Sequence, residues 1–389
     1  CILWNDTRSY KQASILDKKE NLREITGNIV FPGFTAPKLL WIQDNKPELF
    51  EQVAKVLLPA SYLGYYLTGE FFMDMSDAAG TSWLDVGNRC WSEYALKASN
   101  MRSDQMPKLL EGTQVASSVS EFIADELGIP SGVSVVAGAG DNAAAACGVG
   151  ITKEGQGFVS IGTSGVLLTA RDTYTPLAHS AVHTFCHAIP KTWYQMGVIL
   201  SATDSLNWLS SITGKSPKEL SEGLGHKING PSFEKFYPYL SGERTPLNDA
   251  HIRGGFSGLS TNSNRMKLTQ AVLEGVAFAL CDCLEVLKKA GPCPDQLLAI
   301  GGGSRSRFWL ETIATTLNTT IARPIDGEYG AAMGAARLAI LGKTSEPLNN
   351  IVSHPNISET IEPRTDLSDL YYEAFNLYKT APAHLKSIQ

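Results

Sequence analysis

Three times along this chain an apolar strand pattern runs into a cluster of glycines, and a strand that ends this way turns tightly and lets other groups approach its backbone closely. The first lies over 133–137 and ends in Gly138, Ala139 and Gly140. The second is a pair of alternating strand patterns within 157–170, hinged at Gly162, Thr163, Ser164 and Gly165. The third, over 297–300, ends in Gly301, Gly302 and Gly303. Helical spacing of apolar residues predicts helices over 142–149, 203–212, 266–290, 308–317 and 329–341, and strands over 193–200 and 320–323 complete the alternation. Strands first, then strand and helix by turns, predict an α/β fold with helices layered on a sheet.

The earlier part of the chain reads differently. Residues 35–67 are helical in composition, with Pro37 in a first turn, and 74–85 is polar, small and irregular, which predicts a loop lining a site. The chain opens at Cys1 without a Met and enters the apolar Ile2, Leu3 and Trp4 directly, which reads as a strand starting mid-sheet and predicts missing upstream residues. The expected division is a remainder of a first domain over 1–150, a second domain over 151–350 and a helical tail over 351–389.

At 389 residues with 43% apolar and 19% charged residues, the chain is long and apolar enough for two cored domains. The net charge of −6 comes without a basic block, which excludes the electrostatic footprint of a nucleic-acid or membrane-surface binder and favours a small-molecule ligand. No apolar run approaches the roughly 20 residues of a membrane span. Seven scattered cysteines fit a reducing, cytoplasmic setting. His183, Cys186 and His187 form a tight group, but without a second ligand pair at zinc spacing they read as packing, and no metal site is expected.

Asp141 closes the first glycine bend and opens a helix. An Asp there is either a helix cap or a carboxylate presented at a strand's carboxyl edge, where open α/β sheets bind ligands. The surrounding Gly and Ala, which leave room for a substrate, tilt the reading toward the second. The hairpin 160–165, SIGTSG, gathers N–H groups and hydroxyls suited to phosphate oxygens, though alone an ordinary turn is the better reading. The segment 301–309, GGGSRSRFW, leads from strand through glycines into a helix and matches neither a Walker loop nor a dinucleotide fingerprint.

Taken in order, these motifs resemble the carbohydrate kinases named for their Phe-Gly-Gly-Tyr signature, of the actin-like ATPase (ribonuclease H-like) fold, and most closely the xylulokinase branch. The blocks at 2–6, 33–41, 74–81, 140–150, 160–166 and 239–246 carry the likeness, and 254–280 matches the later family signature. The resemblance implies two domains flanking a cleft, with Asp141 as the catalytic base and Asn142 touching the sugar. It implies that Gly162 and Thr163 bind phosphate, that Gly302, Gly303 and Arg307 belong to the adenosine motif, and that Thr203 and Asn207 face the nucleotide. Trp4 and Asp6 are secondary candidates for the sugar pocket, against a reading as packing and a turn. The family's first phosphate hairpin, which helps place the metal, has no counterpart here.

The implied activity is transfer of phosphate from Mg2+-bound ATP to D-xylulose by a cytoplasmic homodimer. Alternatives are a kinase for ribulose, gluconate, fuculose or glycerol, and a non-catalytic actin-like ATP-binding module. Where glycerol kinases carry an Arg-Thr pair this chain has Ala79, Gly80 and Thr81.

Overall fold

The computed structural model describes residues 1–325 and 330–388. Among these, seven strands make one mixed sheet: β1 (Gly157–Ile161), β2 (Gly165–Arg171), β3 (His183–Cys186), β4 (Trp193–Ile199), β5 (Gln296–Ile300), β6 (Thr320–Pro324) and β7 (Ile357–Ile361). Their spatial order is β7-β6-β5-β1-β2-β4-β3. Strand β5 is parallel to both β1 and β6, and the other neighbours are antiparallel. Ile161 faces Gly165 across the β1–β2 hairpin, so residues 162–164 form the turn.

The period of two along these strands sorts their side chains onto two faces. Val159, Ile161, Leu297, Ala299 and Ile321 join one core with helices α2 (Thr203–Thr213), α3 (Arg265–Leu287), α4 (Arg307–Leu317) and α6 (Ser368–Tyr378). Phe158, Leu168, Leu298, Ile300 and Ala322 point the other way, onto α1 (Asp141–Gly148) and α5 (Gly330–Lys343). That second core also takes in Met73, Met75, Ala78 and Leu84, which ties the first part of the chain to the sheet. A separate cluster around buried Trp83, whose indole N–H donates to Ser99 Oγ at 2.7 Å, gathers Leu16, Leu22 and Leu39 from the early helices. Among the described residues no helix is long and apolar enough to cross a membrane.

Helices α1 and α5 meet backbone to backbone. A Cβ at Gly148 would overlap the carbonyl oxygen of Gly330, and one at Gly334 would overlap that of Ala144. At Gly148 the missing side chain is thus a packing requirement between two helices and not clearance for a substrate.

Three other expectations change. Residues 1–9 hold no strand: the amide of Asp6 donates to the carbonyl of Leu3 in a turn, and Trp4 is 76% exposed. Segment 74–85 is ordered structure, with strand Phe72–Asp74 leading into a short helix Met75–Ala79 and then strand Leu84–Asp85. These elements are too short to show a period, and the helix is set by Asp74, whose carboxylate accepts from the amides of Ser76 and Asp77. The tail after 350 is not wholly helical. β7 pairs with β6, and only Ile361 of its two isoleucines is buried, so its alternation is faint in the sequence. Tyr371, Phe375 and Tyr378 bury their rings beside Phe278, docking the tail on the core of the large sheet. The helix expected over 329–341 is α5, and its first expected residue lies outside the described residues.

Gly148→Ala and Gly334→Ala force a methyl group against a main-chain carbonyl that has no rotamer to yield. Each is expected to cost about 3 kcal/mol, the upper end of ordinary overpacking. A denaturant midpoint that matches the parent chain for either variant contradicts the close crossing.

Candidate active site

The start of α1 is fixed from outside the helix. Its N-cap is Gly140, which has no side chain to cap with, and the Gly140 amide instead donates to Ser76 Oγ at 2.9 Å. Asp141 follows at the first helical position with its carboxyl group exposed. Asp141 Oδ1 accepts from the Asn142 amide at 2.7 Å and from Asn142 Nδ2 at 3.0 Å, so the two expected sugar-side residues are locked together.

Two further carboxylates stand beside them. Asp74 is buried, with Oδ1 accepting from the Ser76 hydroxyl at 2.5 Å and from the Ser76 and Asp77 amides at 2.9 and 3.0 Å. Burial raises its pKa against the pull of those hydrogen bonds. Asp77 is partly buried, and a Cβ at Gly140 would lie 3.6 Å from its Oδ1. Burial, and then the charges of Asp74 and Asp141, push the Asp77 carboxyl up to about 7. Tyr194, held well above the usual phenol range by burial, feels all three acids.

Beside α1 lies a cavity of about 460 Å3, lined by Ala145, Ser160, Ile300, Gly301, Gly302, Arg305, Gly330 and Ala331. Ala145 sits one turn after Asp141 on the same face of α1. Ser160 and Ile300 are at the carboxyl ends of the parallel strands β1 and β5, the edge where such sheets take ligands. A second cavity of about 290 Å3 shares Gly301 and Arg305 and continues along Ser304, Arg323 and Ser358. Together they border the sheet edge from Ala145 of α1 to Arg323 and Ser358 on the outer strands.

The two glycine turns at this edge touch each other. Gly301 has φ +84°, and a Cβ there would be 2.9 Å from the Ile161 carbonyl oxygen. The hairpin tip is held from behind, with Thr203 donating from both its amide (2.9 Å) and its hydroxyl (2.8 Å) to the Gly162 carbonyl, and the Ala202 amide donating to that of Thr163. In front, the amides of Gly162, Thr163 and Ser164 have no acceptor among the described residues, and Thr163 and Ser164 are exposed. Consecutive amide donors at a turn are a feature that anion sites use.

The structure thus gathers Gly162, Thr163, Thr203 and Gly302 at one edge of the sheet, with Thr203 opening α2 on the face opposite α1, the helix that carries Asp141 and Asn142. Gly303 lies beneath, where a Cβ would overlap the Ile161 side chain, and serves the turn. Asn207 is exposed one turn after Thr203 on α2. Arg307 forms an ion pair with Glu359, which also meets Arg323 at 3.3 Å, while Arg305 lines both cavities. Trp4 and Asp6 do not line the cavities, and Asp6 is held by Arg8, whose amide and Nε donate to its Oδ1 at 2.9 and 3.0 Å.

Sequence reasoning missed Asp74, Ser76, Asp77, Ser160 and Arg305. An Asp followed at two and three residues by groups it could cap was the available signal for the first three, and the second arginine of SRSR for the last. The histidines of that group are buried and hydrogen-bonded within the protein. His183 Nδ1 meets Asn28 Oδ1 at 3.1 Å, His187 Nδ1 accepts from the Ile189 amide, and burial lowers both rings, His187 to about 4. No group of three or more potential metal ligands occurs among the described residues.

Residues 1–148 match the N-terminal domain and residues 157–342 the C-terminal domain of the FGGY family of carbohydrate kinases. The chain belongs to this family. A xylulose kinase of Escherichia coli is 44% identical over 347 residues, spanning 89% of this chain and 72% of that protein. One from Bacillus subtilis is 35% identical over the whole chain and 79% of its own length. A solved structure from Brucella ovis, described as a xyloylose kinase, superposes with a TM-score of 0.97 at 52% identity, over the whole chain and 80% of that protein. The fold is therefore the two-domain, actin-like fold of the sugar kinases, and the chain is a phosphotransferase acting on a carbohydrate with ATP.

The raised Asp77 sets a pH dependence of stability. Its unfolded value is near 3.8 and its folded value about 7, so the folded state holds a proton the unfolded state has lost, and stability falls as pH rises between them. Asp77→Asn is expected to raise the melting temperature by an amount that grows from pH 4 to about 7 and then levels off. A gain independent of pH across that window contradicts the assignment.

Proposed function

We propose that the chain transfers the γ-phosphoryl group of ATP to the terminal 5-hydroxyl of D-xylulose, giving D-xylulose 5-phosphate and ADP. What supports the pentulose is the description of the xylulose kinases it resembles, and what supports the chemistry is one observation. The helix that opens with Asp141 lines, one turn further on, the same cavity as the carboxyl ends of β1 and β5 and the Gly301–Gly302 turn. In this reading the Asp141 carboxylate accepts the proton of the sugar hydroxyl as that oxygen attacks the γ-phosphorus. The bond from phosphorus to the β,γ-bridging oxygen breaks, and ADP leaves. Asn142, already hydrogen-bonded to Asp141, orients the base and offers its amide to a neighbouring sugar hydroxyl.

The free amides at 162–164 take phosphate oxygens, and Thr203 keeps their hairpin in place. Gly302 and Arg305 border the nucleotide, with Asn207 further along α2. Gly303 shapes that turn from below, and Arg307 supports the outer strands through Glu359. Mg2+ arrives with ATP, neutralising phosphate charge. That role asks for no dedicated cage of protein ligands, because Mg2+ keeps waters and is bound largely through substrate phosphates. Seven free thiols support a reducing, cytoplasmic setting, and the assembly the family suggests is a homodimer, which gel filtration checks.

Phosphoryl transfer depends on positioning and charge stabilisation, with general-base help of about 10²- to 10⁴-fold. Asp141→Ala is expected to lower turnover by at least the smaller of these in a coupled ADP-release assay while the chain stays folded. Turnover close to that of the parent chain removes Asp141 from the role. In the same assay ADP release should depend on added sugar, with D-xylulose preferred over ribulose, gluconate, fuculose and glycerol. Release without sugar would favour an actin-like ATP-binding module instead.

A further inference from the structure

The base has to be held still, and the segment before it is poorly suited to the task. Between strand Ser134–Val136 and Asp141 the chain passes through Gly138, Ala139 and Gly140, with Gly138 at φ +78°. Upstream, the amides of Ala137 and Gly138 are tied to the carbonyls of Gln114 and Gly112, and downstream the Ala144 amide returns to the Gly140 carbonyl. Between these ties, the hydrogen bond from the Gly140 amide to Ser76 Oγ is the restraint next to the reacting residue, and it comes from 64 positions away in sequence.

Resting on the reading of Asp141 as base, we propose that Ser76 is a positioning residue for it, relaying the buried carboxylate of Asp74 to the backbone of Gly140. The serine hydroxyl donates to Asp74 Oδ1, which fixes its rotor and leaves its lone pairs turned to the Gly140 amide. Capping of helix Met75–Ala79 does not need this hydroxyl, because Asp74 caps through the backbone amides of Ser76 and Asp77. Ser76 is 3% exposed and Asp74 likewise, so neither bond competes with water, and a lost partner leaves a buried group unpaired. The relay therefore joins the short helix that carries Asp77 to the N-cap of α1 and holds the carboxylates of Asp77 and Asp141 at a set separation.

The test uses the full chain and steady-state kinetics with ATP and D-xylulose for Asp141→Ala, Ser76→Ala and the conservative Asp74→Asn, which keeps the acceptor oxygen and the cap. Small displacements of a reacting group cost up to about 100-fold. Ser76→Ala is expected to lower kcat by about 10- to 100-fold with the KM for ATP unchanged, since the hairpin at 162–164 is untouched, and Asp74→Asn should retain most of the turnover. The inference fails, with the base intact, if Asp141→Ala is inactive and Ser76→Ala turns over like the parent. It also fails if Ser76→Ala and Asp74→Asn lose turnover alike, with a raised KM for ATP and a lowered melting temperature, which is the signature of general loosening. Full turnover by Asp141→Ala overturns the base assignment itself, and the relay with it.

Discussion

The crossing of α1 and α5 is the contact on which the rest of the molecule depends. Both helices lie on one face of the sheet, and their axes come close enough that the carbonyls of Ala144 and Gly330 occupy the places where side chains would stand on Gly334 and Gly148. Such an approach is open only to residues without a Cβ. Its consequence is positional. The same Gly330 that touches α1 lines the cavity, as does Ala145, so the helix that opens with Asp141 and the space at the sheet edge are set by one packing event.

Charge supplies the second constraint. Asp74, Asp77 and Asp141 approach one another at the start of that helix, and the cost of the arrangement falls on buried Asp74 and partly buried Asp77. Asp141 is left exposed, as a base that must meet a substrate has to be. Functional sites concentrate such locally unfavourable groups, and the compensation here comes from hydrogen bonds around Asp74 and from the apolar core beneath.

Much of this was legible before any coordinates. The sheet's strands from β1 to β6 other than the short β3, and the helices behind them, announce themselves by period and by glycine, because each is long enough for several repeats of its pattern. Asp141, Gly162 and Thr163 stand out because strand ends with glycines are few and each must be explained. The illegible parts have physical reasons. The helix Met75–Ala79 is five residues long, so its cap carries the only signal. β7 buries Ile361 while Ile357 stays exposed, which blurs its alternation. Ala144 and Gly148 read as clearance because a sequence does not say which helix a small residue will meet. Arg305 and Arg307 are two positions apart, and the sequence does not show that Glu359 on β7 will pair with the latter.

The central claim is spatial: the sugar hydroxyl, Asp141 and the amides of 162–164 converge on one phosphorus atom. A crystal structure of the chain with D-xylulose and a non-hydrolysable ATP analogue measures this directly. The account predicts the terminal hydroxyl oxygen about 2.6 to 3.2 Å from an Asp141 carboxylate oxygen, with the terminal phosphate accepting from the hairpin amides. A nucleotide bound away from the Gly301–Gly302 turn, or a sugar whose terminal hydroxyl faces away from Asp141, contradicts it.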